Sequence, residues 1–113
     1  MTAEDLVRRY EAGERDFRHT MLKGETLTNL SLGGSDFSGA NLRGADLSGS
    51  DVSRSSFHNA DLSQVKLHQT NLNHANLRGA NLAETDLSTA QLKDAELDWS
   101  EVSGGPNLTS LPD

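Results

Sequence analysis

A hydrophobic residue recurs at every fifth position through most of this 113-residue chain. From Phe17 to Val102 the series has eighteen members, and each is Leu, Phe or Val. A five-residue period would spread hydrophobic residues around all faces of an α-helix, and would alternate them between the two faces of a flat strand. The pattern therefore predicts a chain that turns a corner every five residues. In this register Leu62 points inward and Ser63 faces water.

The three Phe residues predict how many repeats form one coil. Phe17, Phe37 and Phe57 belong to the series and lie twenty residues apart. Four repeats per coil would stack their rings in one interior column, which Leu77 and Leu97 would continue. Eighteen repeats would then give four and a half coils of an all-β, four-sided solenoid.

The other positions of the repeat are also biased. The residue two before the hydrophobic one is Ala, Ser or Thr in fourteen of eighteen repeats, and the residue directly before it is Asp or Asn in ten. A typical unit is Ala-Asn-Leu-Arg-Gly at 40–44. This unit resembles that of the pentapeptide-repeat family, over residues 15–104. The resemblance implies a right-handed quadrilateral β-helix, and the opening segment 9–17 looks like that of bacterial, particularly cyanobacterial, members.

The segments before and after the repeats are predicted to be separate, which divides the chain into 1–14, 15–104 and 105–113. Thr2 is a suitable N-cap, and Leu6, Val7 and Tyr10 share one helix face. Gly13 is a suitable C-terminal stop. We therefore expect a short amphipathic helix that covers the first coil.

Four repeats depart from the rule of a small inward residue, at Arg15, Glu25, Leu30 and Val65. A charged Glu25 inside a narrow solenoid would be costly. We therefore expect a distorted first coil or an outward Glu25. Glycines at successive corners predict that the second coil has the tightest turns. These glycines are Gly34, Gly39, Gly44 and Gly49.

Outward residues twenty apart should form columns. The column of Asp46, Lys66 and Asp86 would place a cation between two anions. Asp16 over Asp36 would be a mild repulsion.

The composition limits the function. The chain has a net charge of −7 and no Cys, and residues 84–113 hold seven acidic residues and one basic residue. This balance argues against direct nucleic-acid binding. The sequence shows neither a signal peptide nor a membrane-spanning stretch, so we expect a cytoplasmic protein with no membrane partner.

No set of residues predicts catalysis or cofactor binding. His19, His58, His68 and His74 fall on three different faces and do not converge on a metal. The Asp residues are explained by the repeat, and Ser residues lack the surroundings of a nucleophile. We therefore predict no catalytic, cofactor or metal site and no enzymatic activity.

Two functions remain open. The first is a structural or interaction module that presents rigid polar faces to a protein partner of unknown identity. The second follows from the family resemblance, because some members imitate duplex DNA and bind DNA gyrase. Residues 31–83 carry as many basic as acidic residues, which argues against mimicry.

The C-terminal end is the remaining candidate site. Trp99 is predicted to lie outward, either as an interaction anchor or covered by the tail. After Pro106, Leu108 and Leu111 could bury toward the end of the core. We expect a monomer capped in this way, with an end-to-end dimer through the C-terminal coil as the alternative.

Overall fold

The computed structural model describes residues 1–98, which begin with one helix. Helix α1 spans Ala3–Glu11. Thr2 caps it: the Thr2 hydroxyl accepts the Asp5 N–H at 3.1 Å, and the Asp5 carboxylate accepts the Thr2 N–H at 3.5 Å. Gly13 follows the helix with φ +98°, a conformation that glycine adopts without steric cost. The short N-terminal helix and its cap are thus confirmed.

The repeats wind into a four-sided solenoid. Parallel β-bridges join residues twenty apart, beginning with Asp16 and Asp36. Because bridge partners are four repeats apart, the spacing of the Phe residues predicted the number of sides correctly. We name the faces A to D after their first repeats, at 15–19, 20–24, 25–29 and 30–34. Each face recurs every twenty residues and carries one bridge residue per coil, at positions such as 36, 41, 46 and 51.

The core is a stack of the fifth-position residues. All of them from Phe17 to Leu87 are buried. On face A the ring centroids of Phe17 and Phe37 are 5.5 Å apart, and those of Phe37 and Phe57 are 5.3 Å apart. These rings lie within 23° and 9° of parallel, so the column is a continuous aromatic stack. Leu77 continues it in buried form, and Leu97 is half-buried.

Glu25 shows how the first coil accepts a charged residue at an inward position. Its Oε1 accepts the N–H of Ala3 at 2.9 Å, and the side chain is half-buried. Ala3 is the first residue of α1, where backbone N–H groups lack partners within the helix and favour a negative charge. The coil is not distorted here, because Glu25 O still accepts the Asp46 N–H at 3.0 Å.

The other two large residues of the first coil also serve the contact with α1. The Arg15 guanidinium stacks over the Tyr10 ring, 3.6 Å from its centroid. The Tyr10 hydroxyl donates to Gly33 O at 2.7 Å, and Leu30 packs against the core cluster that includes fully buried Leu6. Arg15, Glu25 and Leu30, which break the rule of a small inward residue, therefore form the surface on which α1 packs. The helix covers the first coil in the position that a preceding coil would otherwise occupy.

The corners share one backbone conformation. Two residues after the hydrophobic residue, φ lies between +55° and +74° in every repeat of 15–94 except the one that ends at Thr89, whether that residue is glycine or not. Gly34 has φ +73° and Arg54, one coil further on, has φ +58°. The prediction of the tightest turns in the second coil is therefore wrong, since its glycines adopt the same left-handed conformation as polar residues elsewhere.

Inward hydroxyls bond into the turns of the coil above them. A regular turn is closed by a bond such as Ala40 N–H to Phe37 O, at 3.0 Å. Below three of the turns a Ser or Thr accepts the N–H instead and donates to the carbonyl; Leu30 N–H, for example, donates to Ser50 Oγ at 2.9 Å. Thr70 differs, because its hydroxyl donates to Leu47 O while Ser50 N–H keeps its own bond to that carbonyl. Three inward hydroxyls are thus paired without leaving the core, whereas the buried hydroxyl of Ser35 has no hydrogen-bond partner in the described chain. The hydroxyls that bond in this way belong to Ser50, Ser55 and Thr85.

Candidate interaction surface

Asp and Asn hold the outer corners in place. Each of the ten that precede a hydrophobic residue accepts, through Oδ1, the backbone N–H two residues further on, at 2.8 to 3.2 Å. This Asx turn is a local substitute for a backbone turn, so the bias at this position is conformational. The ten residues are Asp16, Asp36, Asn41, Asp46, Asp51, Asp61, Asn71, Asn76, Asn81 and Asp86.

Ser63 departs from its predicted exposure. The side chain is only 3% exposed, and its hydroxyl donates to Asp61 Oδ1 at 2.6 Å. The expectation that it faces water is wrong because the short side chain folds back on the Asx turn.

The Asx turns also lower the pKa of three carboxyl groups. Hydrogen bonds from the side chain and backbone of Arg18 lower the pKa of Asp16 to about 2. Bonds from Ser48 likewise lower the pKa of Asp46, and bonds from the residue two further on lower the pKa of Asp86. These groups are ionised at neutral pH, as surface charges rather than proton donors.

The faces carry both signs of charge. Arg18 bonds both carboxylate oxygens of Asp16 at 2.9 Å, which offsets the repulsion between stacked Asp16 and Asp36. Arg78 lies 3.6 Å from Glu96. A partner would therefore meet alternating charges on these faces.

The ladder is interrupted in one place on face C, between 65–69 and 85–89; we call this pair of segments the face C seam. Among residues 1–98, no backbone hydrogen bond joins these segments, whereas the same two coils are bonded on faces A, B and D at Phe57, Leu62 and Leu72. The β-bridge of Asp46 with Lys66 is present, but Lys66 has none with Asp86. In the predicted column of Asp46, Lys66 and Asp86, a β-bridge therefore joins only Asp46 and Lys66.

Two sequence features account for the seam. Thr89 occupies the corner position that elsewhere has positive φ, and it is the one such position in 15–98 where φ is not positive. A β-branched residue strongly disfavours the left-handed conformation. Val65 places a second bulky group on this face, directly above Thr85, at a position where most repeats have a small residue. Thr89 was the signal in the sequence that could have revealed the seam.

One threonine hydroxyl partly replaces the missing backbone bonds, since Gln69 N–H donates to Thr89 Oγ1 at 3.3 Å. The bond from Val65 N–H to Thr85 Oγ1, also at 3.3 Å, is the inward-hydroxyl bond that other turns make as well. Leu67 N–H, which in the regular pattern would donate to the carbonyl of residue 86, lacks that partner in the described chain.

The seam opens to the surface as a notch of about 510 Å3. Lys66 and His68 lie on its first wall, and Glu84 and Asp86 lie on its second. Leu67 stays 2% exposed, so the opening does not reach the core.

The four His residues have separate surroundings, and His58 lies near Arg78 and Gly79. The His19 ring occupies the space above Gly39. His74 lies 3.8 Å from Asp94, and His68 Nδ1 lies 3.2 Å from Thr89 Oγ1 in the seam. Within residues 1–98, no three His, Asp or Glu side chains are grouped so that they could hold a metal ion. The helix in that part of the chain is too short and too polar to cross a bilayer.

The predicted C-terminal residues Trp99, Leu108 and Leu111 lie outside the described residues. The predicted column of Phe17, Phe37, Phe57, Leu77 and Leu97 lies on face A, inside the solenoid, as a structural feature rather than a binding site.

The fold and the surface define a four-sided β-solenoid of five-residue repeats. The chain belongs to the pentapeptide-repeat family: the model of the family "Pentapeptide repeats" matches eight copies, over residues 22–59, 35–73 and 70–104. The architecture is the right-handed quadrilateral β-helix of that family.

Solved structures of the family resemble the chain. HetL, a pentapeptide repeat protein involved in heterocyst differentiation regulation from the cyanobacterium Nostoc sp. strain PCC 7120, is 37% identical with a TM-score of 0.52; the match covers 84% of this chain and 44% of HetL. The chain thus spans less than half the length of HetL. The pentapeptide repeat protein alr5209 from Nostoc PCC 7120 is 34% identical over 86% of this chain and 96% of its own, with a TM-score of 0.48. A trypsin-treated variant of QnrB1, a plasmid-mediated fluoroquinolone resistance protein, is 25% identical over 78% of this chain and 39% of its own, with a TM-score of 0.38. A search among curated proteins gave no match.

Proposed function

We propose that this protein is a non-catalytic interaction module that binds a protein partner through its rigid, polar outer faces. The observation that carries the proposal is the network of ten Asx turns, which holds the corners of all four faces. A surface ordered in advance loses little conformational entropy on binding. Its mixed charges favour selection of a partner by electrostatic complementarity.

The likeness to HetL supports a regulatory role of this kind, because HetL is involved in the regulation of heterocyst differentiation. Since this chain spans 44% of HetL, the part of HetL that it resembles would have to contain the shared binding surface.

Affinity capture from the native host with matched face variants tests the proposal. Lys23 and Arg43 are exposed neighbours on face B, and Arg54 is exposed on face D. We would compare the unchanged protein with Lys23→Glu/Arg43→Glu and with Arg54→Glu, after circular dichroism shows equal melting. A partner retained by the unchanged protein should be lost with variants of one face and kept with those of another. Retention that is unaffected by reversal of charge on every face would contradict the proposal.

The alternative of DNA mimicry predicts inhibition of DNA gyrase. The paired cations Arg18 and Arg78, together with Lys66 on face C, interrupt the acidic faces that a mimic of duplex DNA would need. We expect no loss of gyrase supercoiling at micromolar protein. Dose-dependent inhibition would instead favour mimicry and direct attention to the acidic residues 84–113.

We further propose that the tail closes the C-terminal end of the core. Leu92 and Leu97, on the last described turns, are only half-buried. Burial of Leu108 and Leu111 against such residues would contribute a few kcal/mol at ~25 cal/mol per Å2. Removal of 106–113 should shift Trp99 fluorescence to longer wavelength and promote self-association. If light scattering finds the intact protein dimeric at low micromolar concentration, end-to-end pairing replaces this proposal.

A further inference from the structure

We propose that the first two coils of face B bind an acidic helix of the protein partner, with an apolar residue of that helix packed against Met21. This inference rests on the proposed function as an interaction module, and it names both the face and the chemistry of the partner. We call the surface formed by Met21, Lys23, Gly24, Arg43 and Gly44 the face B patch.

Two cations are stacked on the face B patch with no anion between them. Lys23 and Arg43 belong to adjacent bonded coils, because the Gly24 N–H donates to Arg43 O at 2.9 Å. No other two Lys or Arg residues of the sequence are twenty positions apart, and like charges on neighbouring strands repel each other. Within residues 1–98, neither cation forms an ion pair. On this face the first carboxylate is that of Asp61, in the third coil, and it already accepts two bonds from Ser63.

Met21 is the second feature of the patch. It stands where ten repeats have Asp or Asn, and it is 59% exposed, the one exposed large hydrophobic side chain among residues 1–98. Because Met cannot form an Asx turn, the Lys23 N–H makes no hydrogen bond in that part of the chain, whereas the Arg43 N–H donates to Asn41 Oδ1 at 3.0 Å. The patch therefore places an adaptable apolar side chain and an unpaired backbone donor beside two cations, a combination suited to contact with a partner.

The corner beside the two cations is open to another chain. A Cβ added at Gly24 or at Gly44 would meet no atom within 4 Å. At Gly39, on face A, the same space is filled by the ring of His19 from the coil above. The edge of the face B patch is thus bare backbone over two consecutive coils, which allows a partner to approach closely.

The spacing of the cations favours a helix as the occupant. Neighbouring coils are ~4.8 Å apart, and side chains one turn apart on a helix have their Cβ atoms ~5–6 Å apart. Acidic residues at positions i and i+4 of a helix would therefore reach Arg43 and Lys23. An apolar residue at i+3 shares the same helix face and would contact Met21. Alternate side chains of an extended segment are ~6.6 Å apart, which fits the coil spacing less well.

The surroundings of the patch favour a short acidic segment over a long polyanion. Asp46 on face C and Asp61 in the third coil flank the patch, and the chain has a net charge of −7. A nucleic acid or an anionic membrane extends beyond the two cations, so its phosphates would meet these carboxylates. A helix with two carboxylates one turn apart meets only the cations.

The first experiment is an NMR titration of the full chain with a blocked alanine-based peptide that has Glu-Ala-Ala-Leu-Glu at its centre. A length of about 16 residues lets the peptide form a helix in water. Saturable shifts should occur at the Lys23, Gly24 and Gly44 amides. The same peptide with Gln in place of both Glu should bind roughly fivefold more weakly, because two exposed ion pairs are lost.

The second experiment separates binding from stability through Met21→Asn. Asn restores an Asx acceptor for the Lys23 N–H, so the thermal midpoint should be kept or raised. Peptide binding should nevertheless weaken roughly fivefold, because the apolar contact is lost. The peptide with Ala in place of Leu should show a similar loss on the unchanged protein and little further loss on Met21→Asn, since both changes remove one contact.

The third experiment compares two variants of equal net charge. Lys23→Glu/Arg43→Glu should abolish saturable binding. Arg54→Glu/Lys93→Glu, at exposed positions on the opposite face D, should bind within about twofold of the unchanged protein in ~0.15 M salt, which screens charges more than ~8 Å apart.

Four results would overturn the proposal. These are no saturable shift up to millimolar peptide, equal loss in both charge variants, unchanged binding by Met21→Asn, or tighter binding of a short DNA duplex than of the peptide. Shifts at the patch that depend on protein concentration without peptide would also overturn it, and would identify a second copy of the chain as the occupant. Partner capture that depends on face D and not on face B would refute this inference and leave the proposed function standing.

Discussion

Replacement of Leu62 by Ala should show how strongly the stack depends on its interior column. Leu62 is 1% exposed, and its N–H donates to Asn81 O at 2.8 Å. On its other side, Leu42 N–H donates to Asp61 O at 2.9 Å. These bonds fix the spacing of the coils, so the cavity left by Leu62→Ala cannot readily collapse. The loss should therefore lie in the upper half of the ~2–5 kcal/mol typical of such substitutions.

Thermal unfolding followed by circular dichroism measures this effect. A loss of about 4 kcal/mol should lower the midpoint by roughly 15 °C in a domain of this size. Leu92→Ala, at a half-buried position near the end of the stack, should cost about half as much. The matched control is Arg43→Ala, at an exposed corner, which should change stability by less than ~0.5 kcal/mol. Similar midpoints for Leu62→Ala and Arg43→Ala would refute the assigned register.

Two further predictions concern the corners. The bonds from Ser48 lower the pKa of Asp46 in the folded state, so its carboxylate contributes stability above about pH 4 that is lost as the pH falls further. Asp46→Asn keeps an Asx acceptor and should make acid unfolding below pH ~4 less steep; an unchanged slope would contradict this. Gly44 and Gly79 have similar positive φ, but an added Cβ meets Asn59 Oδ1 only at Gly79. Urea unfolding should therefore show a loss of ~1–2 kcal/mol for Gly44→Ala and a larger loss for Gly79→Ala; equal losses would show that Asn59 moves aside freely.

The interior could be predicted from sequence because it repeats. The hydrophobic residues from Phe17 to Leu87 all occupy the same buried environment. The eighteen repeats of the sequence therefore support one register, and the Phe spacing fixes the number of sides. The direction of the Glu25 side chain needed the structure, because its partner is the Ala3 N–H, 22 residues earlier in the chain. Ser63 was misplaced because its exposure depends on a hydrogen bond to Asp61 rather than on its position in the repeat.

The seam was missed for a different reason. The sequence pattern describes which side chains point inward, and Thr89 does not belong to the inward positions. Thr89 instead determines φ at its own corner. In other repeats the residue at the equivalent corner is His, Asn, Arg, Gln, Glu, Asp or Gly, and it adopts the left-handed conformation. A sequence analysis that scores each corner for its tolerance of positive φ would have identified Thr89 as the exception.

In a repeat of this kind, residues that break the pattern can have structural roles of their own. The stability of a solenoid is close to a sum over each coil and its neighbours, so a break on one face is a local cost while the other three faces remain bonded. Glu25 and Arg15 break the pattern and contact helix α1. Val65 and Thr89 break it on face C, where backbone groups of the two coils are not bonded to each other. If the seam had no role, Thr89→Gly would be a stabilising change without consequence for binding. A variant that becomes more stable and at the same time loses a partner would show that the irregular corner serves recognition at the expense of stability.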